Sequence, residues 1–534
     1  MLVAMPVRRT FRSTVRQRRF EASGWVVLDG FPPSEVQRLR SAVLEAYAGE
    51  RRGFHSSMES RDHDYRERLH RLLEPAFRPL VEAAFDDHVI LTTAALVKWP
   101  GDGGAMGAHQ DWTFVDEARY RSLNLWCPLE EVTGENGPLA VLAGSQRDLV
   151  HLRPSPHLPP DHDDPTRGLG LDDLDPLRVG AGDVVAVDHG LLHASPPNRG
   201  TEPRVAIAAA VAPADAAVVH HHCRPDGSIE RFSVPDPAWF RTFDFGDAPT
   251  GVDSEGTVAF TPSAITTEGL RRRRHGTFLD ADVEAAFVED GYAVVDLLDG
   301  DEVDRLRAAH AALDHDLSDN PDFAAGFHTT LYDPRPGYRR DVLQAIEEVV
   351  APALDRRFVD HHPFFANFMV KLAGGGPVPR HADWTFVDED RFTSATVWCA
   401  LADQDEDDGA LGVVVGSHRH VDFVRPVNHR DGERHAAVPG EAVVLPLRAG
   451  QAVVTDSRTV HFSVPNRTAA TRVVAACVVA PRTAPLHHWW VEPDGRRRRL
   501  EVGPDFYCTY ALGEDPQVNA DVRSVVEVDG ALIG

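Results

Sequence analysis

The sequence predicts a mainly β protein with flanking helices, built as two tandem domains, each a double-sheet barrel or jelly roll. Three observations predict it. The chain has 534 residues, several times the usual ~150-residue domain. Its two halves repeat each other, and in each half helix signals give way to short β-rich runs punctuated by Gly, Pro and Asn.

The repeat is clearest between residues 109–129 and 381–401, where 13 of 21 positions are identical. Phe20 and Gly24 answer Phe287 and Gly291, Gly53-Phe54-His55 answers Gly326-Phe327-His328, Gly144-Ser145 answers Gly416-Ser417, and His193-Ala194-Ser195 answers His461-Phe462-Ser463. The offset between partners stays between 267 and 273. Whole domains have been duplicated, not the short units of a solenoid. We place them at residues 1–262, including a ragged basic N-terminal arm, and 263–534. Pro249, Gly251, Gly256 and the arginines at 271–274 mark the junction, with the arginine run read as solvated linker.

Each half opens with helix. Ser34 and Gln37 form an expected capping box, and Val36, Leu39, Val43 and Tyr47 recur at helical spacing; Val303, Leu306, His310 and Leu313 are the second copy. The runs 123–129, 184–187 and 205–211 then read as antiparallel strands.

Composition narrows the function. Lys plus Arg is 55 and Asp plus Glu is 82, so 55 − 82 = −27, which argues against a general nucleic-acid binder. No apolar run is long enough to span a bilayer. Five cysteines, an odd number without a CxxC pair, fit a reducing compartment, and the expected location is the cytoplasm. The expected partner is a small-molecule substrate, with no nucleic acid and no membrane, and internal duplication can replace a homodimer.

Residues two apart on a strand share a face, so His109 with Asp111, and His381 with Asp383, can both point into a barrel. An imidazole and a carboxylate are two-thirds of the facial set that binds Fe(II). The repeat selects the third ligand: His189 aligns with Ser457, whereas His193 aligns with His461. The distal ligands are therefore His193 and His461, 84 and 80 residues beyond the first. Eleven residues further on stand Arg204 and Arg472. Each is expected to start the strand beside the metal-bearing one, after a hairpin turn, and to grip a carboxylate. Ala206, Ala208 and Ala210 on the same face leave room for a small ligand. The chain has two lysines against 53 arginines, and Lys98 and Lys371 occupy equivalent places, where a carboxylate contact or water-organising role is expected.

This set of His-x-Asp, distal His-x-Ser, Arg eleven residues on and upstream Lys resembles the phytanoyl-CoA dioxygenase family of Fe(II)/2-oxoglutarate oxygenases. The likeness runs over residues 20–211 and 287–479. It implies a double-stranded β-helix, the cupin-like jelly roll. It implies iron held by His109, Asp111 and His193, and by His381, Asp383 and His461. It further implies 2-oxoglutarate bound by Arg204, Ser195 and Lys98 in the first half and by Arg472, Ser463 and Lys371 in the second. The implied activity is dioxygenase: O2 is consumed, 2-oxoglutarate becomes succinate, and an unactivated C–H bond of a small organic molecule is hydroxylated, in a natural-product setting. Desaturation, cyclisation or epimerisation by the same iron chemistry remains an alternative, as does metal and 2-oxoglutarate binding without turnover. Because Asp111 and Asp383 are both present, no ligand position is vacated for chloride. The linings differ, with Gln110, Asn124 and His189 in one half against Ala382, Thr396 and Ser457 in the other.

Other residues carry weaker expectations. His55 and His328 recur as candidates for substrate contact or packing, and Trp112, Phe114, Trp384 and Phe386 for a substrate mouth or core wall. Residues 153–176 read as a lid or surface loop, and His157, His162 and His220 to His222 as solvent-facing. Asp403, Asp405 and Asp407 suggest a calcium loop, but Gly409 is one place late and Val414 occupies the acidic end position, so a turn is predicted.

Overall fold

The computed structural model describes residues 7–47, 50–156, 164–271, 275–313, 325–429, 432–511 and 513–528. Contacts divide the chain into two compact units, Met1–Arg273 and Arg274–Gly534. The helix Thr267–Arg271 belongs to the first, where Thr267 Oγ1 donates to the Pro165 carbonyl at 2.8 Å and Arg271 pairs with Asp173. The rest of the arginine run lies outside the described residues.

The first unit contains β1 (Trp25–Leu28), β2 (Phe54–Ser56), β3 (His88–Lys98), β4 (Met106–His109), β5 (Leu123–Pro128), β6 (Ala140–Val141), β7 (Asp175–Pro176), β8 (Val184–Asp188), β9 (His193–Ser195), β10 (Arg204–Pro213), β11 (Val219–Cys223), β12 (Ile229–Ser233) and β13 (Asp253–Val258). Among the described residues these make a major sheet β1-β8-β5-β10-β3-β2, a minor sheet β4-β9-β6-β7 and a third sheet β11-β12-β13, all antiparallel. The second unit repeats the plan with β14 (Tyr292–Asp296), β15 (Phe327–Thr329), β16 (His361–Lys371), β17 (Val378–His381), β18 (Ala395–Ala400), β19 (Leu411–Val414), β20 (Ala442–Val444), β21 (Gln451–Asp456), β22 (His461–Ser463), β23 (Arg472–Pro481), β24 (Leu486–Val491), β25 (Arg497–Val502) and β26 (Val522–Val528). Its sheets are β14-β21-β18-β23-β16-β15, β17-β22-β19-β20 and β24-β25-β26. The two-sheet jelly roll predicted for each half is the fold observed.

Strand alternation explains how one sheet serves two purposes. Along β10, Val205, Ile207, Ala209 and Val211 pack with Leu69, Leu73 and Phe77 of the helix His63–Ala84. Arg204, Ala208 and Ala210 face the other way and line a cavity between the major and minor sheets. Deleting a buried ring such as Phe77 from the helix-facing layer costs about 3–5 kcal/mol.

Two local expectations are corrected. The helix Pro33–Ala46 follows Pro32 with no side-chain cap, so Ser34 and Gln37 form no capping box; proline at the first turn needs no donor there. A capping box forms in the second unit instead, between Asp299 and Glu302. Nor is the basic segment a ragged arm. Phe11 is buried against Phe20 and Phe85, Arg12 Nε donates to the Phe85 carbonyl at 2.7 Å, Arg8 pairs with Asp215, and the helix Thr14–Ser23 follows. Aromatic burial and these arginine contacts together fix the path of this segment.

Candidate metal centre

In the minor sheet, β4 sets His109 directly opposite His193 on β9, and β17 sets His381 opposite His461 on β22. Opposed residues share a face, and the imidazole centroids lie 4.3 Å apart in each unit. β4 and β17 end at these histidines. Asp111 and Asp383 therefore reach them from the coil just beyond the strand, not by the strand alternation expected from sequence. In each triplet one donor atom per residue lies within 4.8 Å of the others, and His193 Nε2 is 3.9 Å from Asp111 Oδ1. Adjacent donors on one octahedral ion, with bonds of about 2.1 Å, sit about 3 Å apart, so small side-chain movements close either set on a cation.

The protonation pattern suits a metal. Nδ1 of His109, His193, His381 and His461 donates to the carbonyls of Gly107, Leu191, Pro379 and Thr459, at 2.8, 3.0, 2.9 and 3.0 Å. A carbonyl can only accept, so each Nδ1 carries a proton, and in the neutral ring this tautomer leaves the Nε2 lone pair for a cation. The carboxylates are oriented too. Asn124 Nδ2 lies 3.5 Å from Asp111 Oδ2, and Thr396 Oγ1 donates to Asp383 Oδ2 at 2.6 Å. Burial pushes the Asp111 carboxyl up, but the surrounding imidazoles, whenever one is protonated, and the Asn124 amide hold it below its ordinary value. Two neutral imidazoles and a carboxylate, with the cavity on the remaining side, are a donor set suited to Fe(II).

Sequence reasoning missed what holds the aspartates. Arg153 Nε donates to the Asp111 carbonyl at 2.6 Å, and Arg425 Nε to that of Asp383 at 2.5 Å, while the guanidinium groups pair with Glu117 and Glu389. Arg153 is buried, although the stretch it begins was expected to be a lid or surface loop. The repeat held the signal: Arg153-Pro154 and Arg425-Pro426 differ by 425 − 153 = 272, as Glu117 and Glu389 do by 389 − 117 = 272.

Arg204 and Arg472 do not lie beside the metal-bearing strands. They begin β10 and β23, which sit inside the major sheets, so each faces its triplet from the opposite sheet. They are only 3% and 5% exposed, and Arg204 Nε and Arg472 Nε and Nη1 have no hydrogen-bond partner among the described residues. Each guanidinium lies over a tryptophan, Trp126 at 5.4 Å and Trp398 at 5.1 Å. Burial pushes them down to about 10 and about 9, still cationic at neutral pH. Glu130 acts on Arg204 through its charge without hydrogen-bonding it, and no carboxylate among the described residues is paired with Arg472. Buried cations with unpaired nitrogens aimed into a cavity are suited to receive an anion.

Lys98 and Lys371 pair opposite these arginines, and neither lines its cavity. Lys98 Nζ crosses to the minor sheet and donates to Ser195 Oγ (2.6 Å), the Ser195 carbonyl (3.1 Å) and the Pro196 carbonyl (2.6 Å), which occupies all three N–H groups. Ser195 in turn donates to the Gly137 carbonyl at 3.0 Å. Lys371 Nζ donates to Ser463 Oγ and the Val464 carbonyl at 2.6 and 2.7 Å. The lysines thus tie the strand of the distal histidine to the major sheet. Their stems explain two glycines: a Cβ on Gly137 or Gly409 lies 2.7 or 2.6 Å from the lysine Cδ, and both backbones have positive φ. Gly409 makes room for a lysine, not for calcium.

The cavities, about 270 Å³ in the first unit and about 350 Å³ in the second, are walled by Trp112 and Phe114, and by Trp384 and Phe386. Trp112 stacks on Phe245 at 4.3 Å. His189 also lines the first cavity, bonded to Ser122 Oγ at 2.8 Å, and burial pushes it down to about 4, so it is neutral. His55 and His328 face away from the cavities because their neighbours on β2 and β15 face in. His55 packs on Tyr47 and Tyr65. His220, His221 and His222 are buried on β11, a correction to their expected exposure; aromatic neighbours Trp239 and Phe243 cover His220. His157 and His162 lie outside the described residues. No helix among the described residues is long and apolar enough to cross a membrane.

The family model described as Phytanoyl-CoA dioxygenase (PhyH) matches residues 20–206 and again 287–474. Phytanoyl-CoA dioxygenase 1 of Oryza sativa subsp. japonica is 32% identical over 111 residues, 20% of this chain and 38% of that protein. The phytanoyl-CoA dioxygenase of Arabidopsis thaliana is 28% identical over 157 residues, 28% of this chain and 52% of that protein. The chain thus spans about half or less of the curated relatives it matches. Among solved structures, the non-heme alpha-ketoglutarate-dependent carbocyclase SnoK from nogalamycin biosynthesis is similar at 21% identity, covering 39% of this chain and 86% of that one, with a TM-score of 0.31. EctD from S. alaskensis is similar at 23% identity, covering 39% and 78%, with a TM-score of 0.30.

Proposed function

The chain belongs to the phytanoyl-CoA dioxygenase family in two tandem copies, and from this premise we propose that each unit is an Fe(II)- and 2-oxoglutarate-dependent oxygenase that hydroxylates an unactivated C–H bond of a small organic molecule, in specialised metabolism. One observation carries the reading. In both cavities three metal-competent donors, two on the minor sheet and one from the coil just beyond it, face a buried arginine with unpaired nitrogens on the major sheet.

His109, Asp111 and His193 would hold iron in the first unit, and His381, Asp383 and His461 in the second. When bound, iron and 2-oxoglutarate together supply the activation of O2 and the oxidising equivalents for C–H cleavage. The chain's own residues bind, orient and exclude water. Arg204 and Arg472 grip the far carboxylate of the co-substrate, and the indoles beneath them keep the guanidinium plane in place. The Nδ1 bonds fix each imidazole, and Arg153 and Arg425 fix the backbone of each aspartate. Lys98 with Ser195, and Lys371 with Ser463, hold the distal histidine's strand at a set distance from the arginine. Trp112, Phe114 and Phe245, and Trp384 with Phe386, give the substrate an apolar, water-poor wall. Cavities of this size suit a small molecule.

The test is anaerobic loading with Fe(II) and 2-oxoglutarate followed by admission of O2 in the presence of a metabolite extract. The expected result is succinate in proportion to an oxygenated product. Binding of 2-oxoglutarate without succinate across the extract supports the non-catalytic alternative instead.

A further inference from the structure

The metal end of the first cavity carries a polar side chain, His189, at a place where the second unit has Ser457. Val185 and Val187 of β8 face inward, packing with Trp126 and Val141, and His189 continues that row just past the strand end. The ladder continues with it. The His189 N–H donates to the Ser122 carbonyl at 3.2 Å, so the two residues stand opposite each other and share a face. Ser122 Oγ thereby meets the ring Nδ1 at 2.8 Å, and Phe114 packs on the ring with centroids 4.8 Å apart. These contacts leave Nε2 without a hydrogen-bond partner among the described residues, on a residue that lines the cavity and is only 2% exposed. The ring is near enough to the triplet for Asp111 and His193 to act on its charge. In the second unit Ser457 turns back instead: its Oγ lies 2.9 Å from Ser394 Oγ and donates to the Ser394 carbonyl at 3.1 Å, outside the cavity lining.

Neighbouring polar groups of the first cavity are already committed. Gln110 Nε2 donates to the Leu149 and Gly190 carbonyls, Asn124 to Asp111, and Ser195 accepts from Lys98 while donating to Gly137. Glu59 lines the cavity only at its exposed edge. A buried ring nitrogen left unmatched costs free energy that a ligand group recovers by bonding to it. The chemistry of that group follows from Ser122. Its hydroxyl can either donate to Nδ1 or accept from it, so Nε2 stands ready as donor in one tautomer and acceptor in the other. A hydroxyl satisfies both, whereas a carboxylate only accepts and an ammonium only donates. Resting on the function proposed above, we infer that the first site takes an alcohol, a small molecule whose hydroxyl bonds to His189 Nε2 at the metal end of the cavity. His189 is then a specificity-determining residue of the first site, and the second site holds its substrate by other groups.

The experiment uses the full-length chain with one metal set removed at a time, Asp383→Ala to leave the first site and Asp111→Ala to leave the second. Each is loaded with Mn(II), a redox-silent paramagnetic stand-in, and 2-oxoglutarate. Benzyl alcohol is compared with toluene, and 2-phenylethanol with ethylbenzene, and proton relaxation enhancement reads their binding near the metal. In the Asp383→Ala chain, His189→Leu is expected to lower the alcohol-to-hydrocarbon affinity ratio about fivefold, the size of one neutral hydrogen bond. His189→Gln, whose amide nitrogen reaches the place of Nε2, should keep the ratio, which a purely structural role would not predict. In the Asp111→Ala chain, Ser457→Leu should leave the ratio unchanged. A first-site ratio indifferent to His189→Leu, lost equally in His189→Gln or governed by Glu59→Gln, a second-site ratio that falls with Ser457→Leu, or no probe binding overturns the inference while leaving the metal sites intact. A Mn(II) stoichiometry other than one per single-site chain instead removes the reading on which it rests.

Discussion

Replacing Arg204 or Arg472 by Met separates binding from stability in a way that few substitutions do. In the ligand-free chain each guanidinium is almost wholly buried, with Nε of Arg204 and Nε and Nη1 of Arg472 finding no acceptor, so its desolvation is only partly offset, at Arg204 by the charge of Glu130. A methionine fills similar space without that cost and forfeits only the contact with Trp126 or Trp398, worth about 0.5–2 kcal/mol. Ligand-free stability should therefore stay within about 1 kcal/mol of the parent or rise. Co-substrate binding behaves oppositely. Two parallel hydrogen bonds to a carboxylate, at about 1.5–3 kcal/mol each, weaken 2-oxoglutarate binding by roughly a hundredfold or more when lost. Anaerobic calorimetry on the iron-loaded chain reads both sites at once: either single variant should halve the number of tight 2-oxoglutarate sites, and the double variant should remove them. An affinity unchanged within about threefold, or a loss of more than about 2 kcal/mol of ligand-free stability, would refute the assignment of these arginines as anion receptors.

Three further outcomes follow from the packing. His220, His221, His487 and His488 are buried, and burial pushes them down to about 3 or 4. An unfolded chain takes up these protons near pH 6.5 and the fold does so only near 3 to 4, so stability is whole above pH 6.5 and falls by about 1.4 kcal/mol per histidine for each pH unit below it; denaturant titrations at pH 7.5, 6 and 5 measure the slope, and His220→Phe with His488→Phe should flatten it. Gly137→Ala and Gly409→Ala force a Cβ against the lysine stem at positive φ, and each should lower the denaturation midpoint by an amount equivalent to about 2 kcal/mol or more, whereas Gly246→Ala, with positive φ but open space around it, should cost less. Arg153→Met leaves the Glu117 carboxylate buried without its partner, which should cost about 3–5 kcal/mol, and a double variant with Glu117→Gln should recover part of it.

Much of the architecture was legible because duplication supplies an internal control. A residue kept in both halves at one offset has to satisfy the same surroundings twice, which is how His193 is separated from His189 and how the two lysines stand out. Sequence spacing did not reveal which sheet carries which residue. Eleven residues separate His193 from Arg204, and a hairpin places them side by side, but the chain crosses between sheets and places them face to face. Strand ends were equally hidden: β4 stops at His109, so Asp111 owes its position to Arg153 and not to alternation. Buried polar residues in aromatic company, such as His220 beside Trp239 and Phe243, read as exposed because composition cannot show that the short helix Trp239–Thr242 folds over the strand. His55 and His328 are repeated for packing behind the sheet, so recurrence alone does not mark a site.

The most direct measurement is the number of ferrous ions bound per chain by the parent, Asp111→Ala, Asp383→Ala and the double variant, under anaerobic equilibrium dialysis. Two facial triplets predict two, one, one and none, with each single variant losing one centre and keeping the other. Two ions retained by either single variant, or fewer than one bound by the parent, would contradict it.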